Sequence, residues 1–140
     1  MRILSLVLMI GLLVCFATGQ SRAGSEAEKT AVSAAQAWLA LIDSGNYSLS
    51  WKEASAYFRG AVTEKSWGAS MEGFRQPLGK LISRKIVKTQ EAASLPGAPD
   101  GRYVVMSFET SFQKKRFATE TVTLMLDNDQ KWRAAGYFIK

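Results

Sequence analysis

Apolar side chains between Ser25 and Gly45 recur at the spacing of one helical face, with Val32, Ala35, Leu39 and Ile42 in line. Ser25 and Glu28 have the spacing of a capping box, and Gly45 can close the turn, which predicts a first helix between them. A second box, Ser50 with Glu53, opens a segment in which Trp51, Ala54, Phe58 and Ala61 repeat at helical intervals, which predicts a second helix. Thr63 is placed to cap a third helix carrying Trp67, Met71, Phe74 and Leu78, with Pro77 and Gly79 marking its end. The aromatic residues of these helices are expected in the core.

From Leu81 onward the period falls to two, β-branched residues become frequent, and turn signals recur at residues 95–101, 113–116 and 127–130. Four antiparallel strands are expected. Val104, Met106, Phe108 and Phe112 alternate with Tyr103, Val105, Ser107, Glu109 and Ser111; Val122, Leu124 and Leu126 alternate with Thr119, Thr121 and Thr123. Each strand therefore has one greasy face and one hydroxyl-rich face. The fold class that follows is α+β, with three N-terminal helices packed on a curved four-stranded antiparallel sheet.

The turns predict the register. A three-residue loop, Asn128-Asp129-Gln130, sets Leu126 opposite Trp132, Leu124 opposite Ala134 and Val122 opposite Gly136. In the preceding hairpin the same reasoning pairs Phe112 with Ala118, Phe108 with Val122 and Met106 with Leu124. Glu120 then falls on the apolar face, opposite Thr110 and next to Phe138, near a strand end. An ionised carboxylate there needs a basic or hydroxyl partner, and Arg84 at the start of the first strand is the expected one. Glu120, Thr110, Arg84 and Phe138 are the candidate ligand-binding residues, at the mouth of a pocket between sheet and helices. A structural ion pair between Glu120 and Arg84 is the plainer reading of the same pattern.

Other polar positions have local explanations. Lys114-Lys115-Arg116 reads as a solvated hairpin loop. Tyr137 falls on the outer sheet face with Thr121 and Glu109. Asp43 is unfavourable at a helix C-terminus but belongs to a turn-forming Asp-Ser-Gly-Asn run.

Composition narrows the chemistry. The chain has 140 residues, of which 47% are hydrophobic and 21% charged, as in an ordinary globular domain. Histidine is absent and the one cysteine is Cys15, so catalysis through imidazole or thiol, Cys/His zinc sites and disulfides are excluded from the region beyond it. Met1-Arg2 followed by the uncharged apolar run Ile3 to Ala17, and small residues between Gly19 and Ala23, have the form of a secretory signal peptide over residues 1–23. As a helix that run spans about 22 Å, short of the roughly 30 Å of a bilayer core, so no permanent membrane span is expected after cleavage. The expectation is a periplasmic protein with one α+β domain over residues 24–140. Without Arg2 and Arg22 the net charge falls from +6 to +4, spread along the chain and without a nucleic-acid-binding motif; no nucleic acid, metal or cofactor is expected.

Trp38-Leu39, Ile42-Asp43-Ser44-Gly45, Tyr47, Ser50-Trp51, Trp67, Pro77-Leu78-Gly79 and Ser83-Arg84 together resemble a family of small exported bacterial proteins, domain of unknown function 4019. Leu95-Pro96-Gly97, Pro99-Asp100-Gly101, Tyr103, Glu120-Thr121-Val122, Trp132-Arg133 and Gly136-Tyr137 extend the resemblance over nearly the whole chain beyond the leader. It implies export and one domain, and transfers no reaction, cofactor or catalytic residue. By analogy the fold is similar to the cone-like nuclear transport factor 2-like and cystatin-like folds, which do not assign function.

Two functions fit. The first is a periplasmic, non-catalytic module that binds a small molecule, a peptide or an envelope protein. The alternative is a small acid/base enzyme, isomerase- or dehydratase-like, with Glu120 as base; it needs a hydrogen-bond donor beside the carboxylate, and the expected register places no tyrosine there, leaving Tyr47 or Tyr57 from the helices. A homodimer through the outer threonine strip, with Val105, Met125 and Ile139 forming an apolar patch, is a further candidate partnership.

Overall fold

The structure is a computed structural model and describes residues 25–140; the expected leader over residues 1–23, with Cys15, lies outside the described residues. Helix α1 spans Glu26–Asp43, and the Ser25 hydroxyl accepts from the Glu28 amide at 3.1 Å, so the cap predicted from spacing forms. Its buried stripe is Ala31, Ala35, Trp38, Leu39 and Ile42, and Gly45, at φ 75°, turns the chain away.

The segment expected to be one helix is two. Helix α2 covers Tyr47–Lys52 and helix α3 covers Ala56–Ala61. Ser50 is not a cap; it lies buried inside α2, where its hydroxyl donates to the Tyr47 carbonyl at 2.7 Å and accepts from Trp67 Nε1 at 2.9 Å. Its own carbonyl accepts from Trp38 Nε1 at 2.8 Å, so one small residue satisfies two buried indoles. The cap of α3 is Ser55, which accepts from the Phe58 amide at 3.1 Å, while the Ser55 amide donates to the Ala134 carbonyl of the sheet at 2.8 Å. That bond to a distant strand takes the amide out of a continuous helix, and it explains the break.

Helix α4 spans Glu64–Phe74 behind the expected Thr63 cap and buries Trp67 and Met71. Phe74, expected in the core, is 73% exposed, because the helix has turned it outward by its last residue. A 3-10 turn, Gln76–Leu78, follows and ends at Gly79. Gly79 has φ 76°, a conformation that favours glycine, and a Cβ there would stand 2.8 Å from Gln113 Oε1 and displace that side chain.

The strands β1 (Leu81–Ala92), β2 (Tyr103–Phe112), β3 (Lys115–Leu126) and β4 (Trp132–Ile139) form an antiparallel meander in chain order. Helix α1 lies across all four. Fifteen buried residues from helices and sheet make one core, including Trp38, Leu39, Phe58, Trp67, Met106, Phe108, Val122 and Leu124.

The register departs from expectation in two places. The β2–β3 turn has only Gln113 and Lys114 between the strands, so Lys115 and Arg116 are strand residues and not loop. The ladder is displaced by two: Phe108 faces Glu120, Met106 faces Val122, and Thr110 faces Ala118 instead of Glu120. An even shift preserves the faces, so Glu120 still points inward.

The β3–β4 ladder begins as expected, with Leu126 opposite Trp132 and Leu124 opposite Ala134, after a loop in which Gln130 adopts φ 64°. Ala135 is then an unpaired extra residue. Beyond this bulge Thr123 faces Gly136, Val122 faces Tyr137 and Thr121 faces Phe138. An odd shift exchanges the faces. Phe138 is therefore on the outer surface, 55% exposed, and Tyr137 is turned inward. Ile139 is paired with Glu120, and Val105, Met125 and Ile139 are all half-buried, so they make no exposed apolar patch.

Candidate functional site

Glu120 has 0% exposure, although a water-accessible position near a strand end was expected. Burial of this kind demands that each oxygen be bonded. Oε1 accepts from Arg84 Nε at 2.7 Å and from the Thr110 hydroxyl at 2.6 Å. Oε2 accepts from Arg84 Nη2 at 3.1 Å and from the Tyr137 hydroxyl. Arg84 thus grips the carboxylate with two parallel bonds, the strong geometry for a guanidinium. Thr110 reaches Glu120 diagonally across the ladder, and Arg84 stands opposite Thr110 on β1.

The far edge of Arg84 holds a second carboxylate. Nη1 donates to Asp43 Oδ2 at 2.7 Å and Nη2 to Asp43 Oδ1 at 2.9 Å. Asp43 in turn accepts from Arg75 Nη2 at 3.2 Å. The chain Glu120, Arg84, Asp43, Arg75 alternates in sign and sums to zero. It ties the last residue of α1, the end of α4, β1 and β3 into one cluster. Burial alone would lower the Arg84 pKa, but its bonds to Asp43 and Glu120 and their charges outweigh this and hold the guanidinium protonated. The Tyr137 hydroxyl is pushed well above its ordinary value, first by burial and then by the adjacent Glu120 charge. Its ring stands edge-on to Trp38 at 5.6 Å and to Trp67 at 6.5 Å.

Arg75 is 3% exposed, with its guanidinium 4.4 Å from the Phe112 ring centre and Nη1 donating to the Gly79 carbonyl at 2.7 Å. Its Nε is a buried donor with no partner among the described residues. Leaving such a group unpaired costs about 1–3 kcal/mol. At this end the cluster meets the surface in an open cleft of about 410 Å³, lined by Asp43, Tyr47, Glu72, Arg75, Gln76 and Lys80 among others. The β2–β3 turn forms one wall: the Gln113 amide donates to the Lys80 carbonyl at 2.9 Å and the Lys114 amide to the Leu78 carbonyl at 2.8 Å. Burial, and then the acid neighbours against the opposing pull of Arg75, raises the Tyr47 hydroxyl pKa.

Of the four candidate residues, the structure brings Glu120, Arg84 and Thr110 together and leaves Phe138 on the opposite face of the sheet. It adds Asp43, Arg75 and Tyr137. Two of these carried a signal: Asp43 is an acid at the negative end of a helix, which calls for a cation, and Arg75 continues the Trp67, Met71 stripe of α4 at the same four-residue interval. Tyr137 carried none, because its face is decided by the bulge. Among the described residues no three Asp, Glu, Cys or His side chains converge to hold a metal ion, and no helix is long and apolar enough to cross a membrane.

A family model described as "Protein of unknown function (DUF4019)" matches residues 34–137, a span that contains every member of the charged cluster and Tyr137. No curated protein sequence matches the chain.

Proposed function

The chain belongs to the family of proteins of unknown function DUF4019, and on that premise we propose that it is an exported, periplasmic, non-catalytic binding module whose ligand enters the cleft beside Arg75. The observation that carries this reading is the saturation of Glu120: four donors occupy its two oxygens, and its side chain has no exposed surface. A general base must offer a free lone pair to a proton on substrate. Here the carboxylate's acceptor capacity is spent on holding β1, β2, β3 and β4 together, and the open, polar surface lies at the other end of the cluster. Export draws on the basic start Met1-Arg2, the apolar run to Ala17 and the small residues that follow.

The acid/base reading has one observation in its favour, since Tyr137 supplies beside Glu120 the donor such a site needs. The two readings differ in where a ligand lands. In NMR titrations with small polar compounds, a binding module shows its largest shifts at Gly45, Gly79 and Lys80. An enzyme of the alternative kind shows them at Thr110, Glu120 and Tyr137, and binding there that is abolished in Glu120→Gln would overturn the proposal. Fractionation of a bacterial host with N-terminal sequencing of the product tests export; an uncleaved cytoplasmic chain contradicts it.

A further inference from the structure

We propose that the outer face of the sheet docks on a membrane surface rich in anionic phospholipid headgroups. The core and the helices occupy the face that carries Met106, Phe108, Val122 and Leu124, and the register fixes what the other face presents. Lys85 faces Glu109, Glu109 faces Thr119, and Thr119 exchanges both backbone bonds with Lys140, which makes one row across the four strands. The next row is Lys88, Ser107, Thr121 and Phe138. On the other side of the first row, between the pairs Thr110–Ala118 and Phe112–Lys115, β3 has Arg116 and Phe117 against Ser111 alone. This bulge sets an arginine beside a phenylalanine, and both line the surface hollow that Lys85 and Glu109 also line. The face shares no residue with the cleft beside Arg75.

Phe117 is 94% exposed and Phe138 55%, so two large apolar rings stand in water on one face. Around them Lys85, Lys88, Arg116 and Lys140 are exposed, and none takes part in an ion pair among the described residues. Glu109 is the one acid in these rows. Glu91, Asp100, Asp127 and Asp129 lie towards the opposite end of the strands, at the β1–β2 and β3–β4 connections, so the field of the molecule turns this end to a negative surface.

The same features select the occupant. A second copy of the chain seated here about a two-fold axis would set cations against cations. Protein interfaces are depleted in lysine at their centres. Single-stranded nucleic acid is held in a groove on aromatic platforms, whereas Phe117 projects from a sheet with almost its whole ring in water. A bilayer needs only rings that enter the boundary between headgroups and acyl chains, and long basic side chains that reach its phosphates.

The test is co-sedimentation of the protein, purified from a bacterial host, with vesicles of phosphatidylcholine alone and of equal parts phosphatidylcholine and phosphatidylglycerol. Binding to the mixed vesicles alone, weakened by added salt, is the expected result. Lys85→Gln and Arg116→Gln, checked for unchanged melting, should each weaken it by about fivefold, the scale of one basic side chain at an anionic surface. Phe117→Ser should weaken it by about tenfold and Glu109→Gln should tighten it. No binding to the mixed vesicles overturns the proposal, and so does binding that none of the four variants changes. Binding of a single-stranded oligonucleotide, or dimerisation in sedimentation velocity, that Phe117→Ser weakens while vesicles are not bound would assign the face to that partner instead.

Discussion

Tyr137 donates its phenolic hydrogen to Glu120 from a strand position that alternation alone would turn to solvent. The unpaired Ala135 exchanges the faces of β4 at that point, and the hydroxyl arrives on the side where Arg84 and Thr110 already hold the carboxylate. The pairing therefore joins a backbone irregularity to a buried charge, and it is open to test from both ends.

Removal of the hydroxyl in Tyr137→Phe leaves Glu120 Oε2 with Arg84 alone. A bond to a charged acceptor contributes about 1.5–3 kcal/mol, and urea unfolding should show a loss of that order with an unchanged slope. The same pair predicts alkaline behaviour. Because the folded pKa of Tyr137 is raised above the ordinary 10.0, its contribution is complete below pH 10 and is lost as pH rises from there through the folded value. Wild type should lose stability above pH 10 by a component that Tyr137→Phe lacks.

Arg84 serves two carboxylates, so its removal is costly. Arg84→Met leaves Glu120 and Asp43 with Arg75 as their only cation, and Glu120→Gln leaves the buried Arg75 and the half-buried Arg84 with one acid; each should destabilise by about 3–5 kcal/mol. Arg84→Met combined with Glu120→Leu keeps the balanced Asp43–Arg75 pair. Its cost should fall below the sum of Arg84→Met and Glu120→Leu alone by about 0.5–3 kcal/mol, read from chemical denaturation of the three variants. Strict additivity would show that the ion pair is not energetically coupled.

Deletion of Ala135 should restore strict alternation in β4 without exchanging its faces. Gly136 would follow Ala134 directly and keep its place opposite Thr123, so Tyr137 stays opposite Val122 on the inner face and Phe138 stays outside. A Tyr137 phenol that still titrates above its ordinary 10.0 in the deletion variant is the expected result. A phenol titrating near 10.0 would mean that the bulge itself, and not the pairing beyond it, holds Tyr137 against Glu120.

The last hairpin gives an acid-side test away from the cluster. Arg133 donates to both oxygens of Asp129, at 2.8 Å each, and this bonding, with Lys131 assisting, lowers the Asp129 pKa from 3.8 to about 2. Its contribution is present above pH 4 and is lost as pH falls towards 2. In Arg133→Ala, the Asp129 carboxyl followed by NMR should titrate close to 3.8.

What was legible in the sequence was local or depended on parity. Ser25 and Thr63 cap helices because a cap needs only its next few residues, and Glu120 points inward because an even error in register leaves the faces alone. The division of α2 from α3 was not legible. Trp51, Ala54, Phe58 and Ala61 keep a helical period across it, and the bond that decides it joins Ser55 to Ala134, far away in the chain. Phe138 and Tyr137 exchanged places for a similar reason: nothing in Ala134-Ala135-Gly136 declares which residue goes unpaired. Asp43 was readable as an anomaly at a helix end, and only the fold shows that two arginines answer it.

The order of synthesis meets the charged cluster at its weakest point. A nascent chain that has emerged as far as β2 carries Asp43, Arg75 and Arg84 but neither Glu120 nor Tyr137, so it holds two cations to one acid and no surface on which to dry them. Solvation keeps those side chains wet, and contacts between such distant parts of the sequence form slowly. The charge balance of the helical half is therefore completed only by β3 and β4, whose Glu120 and Tyr137 close the cluster last in the order of the chain.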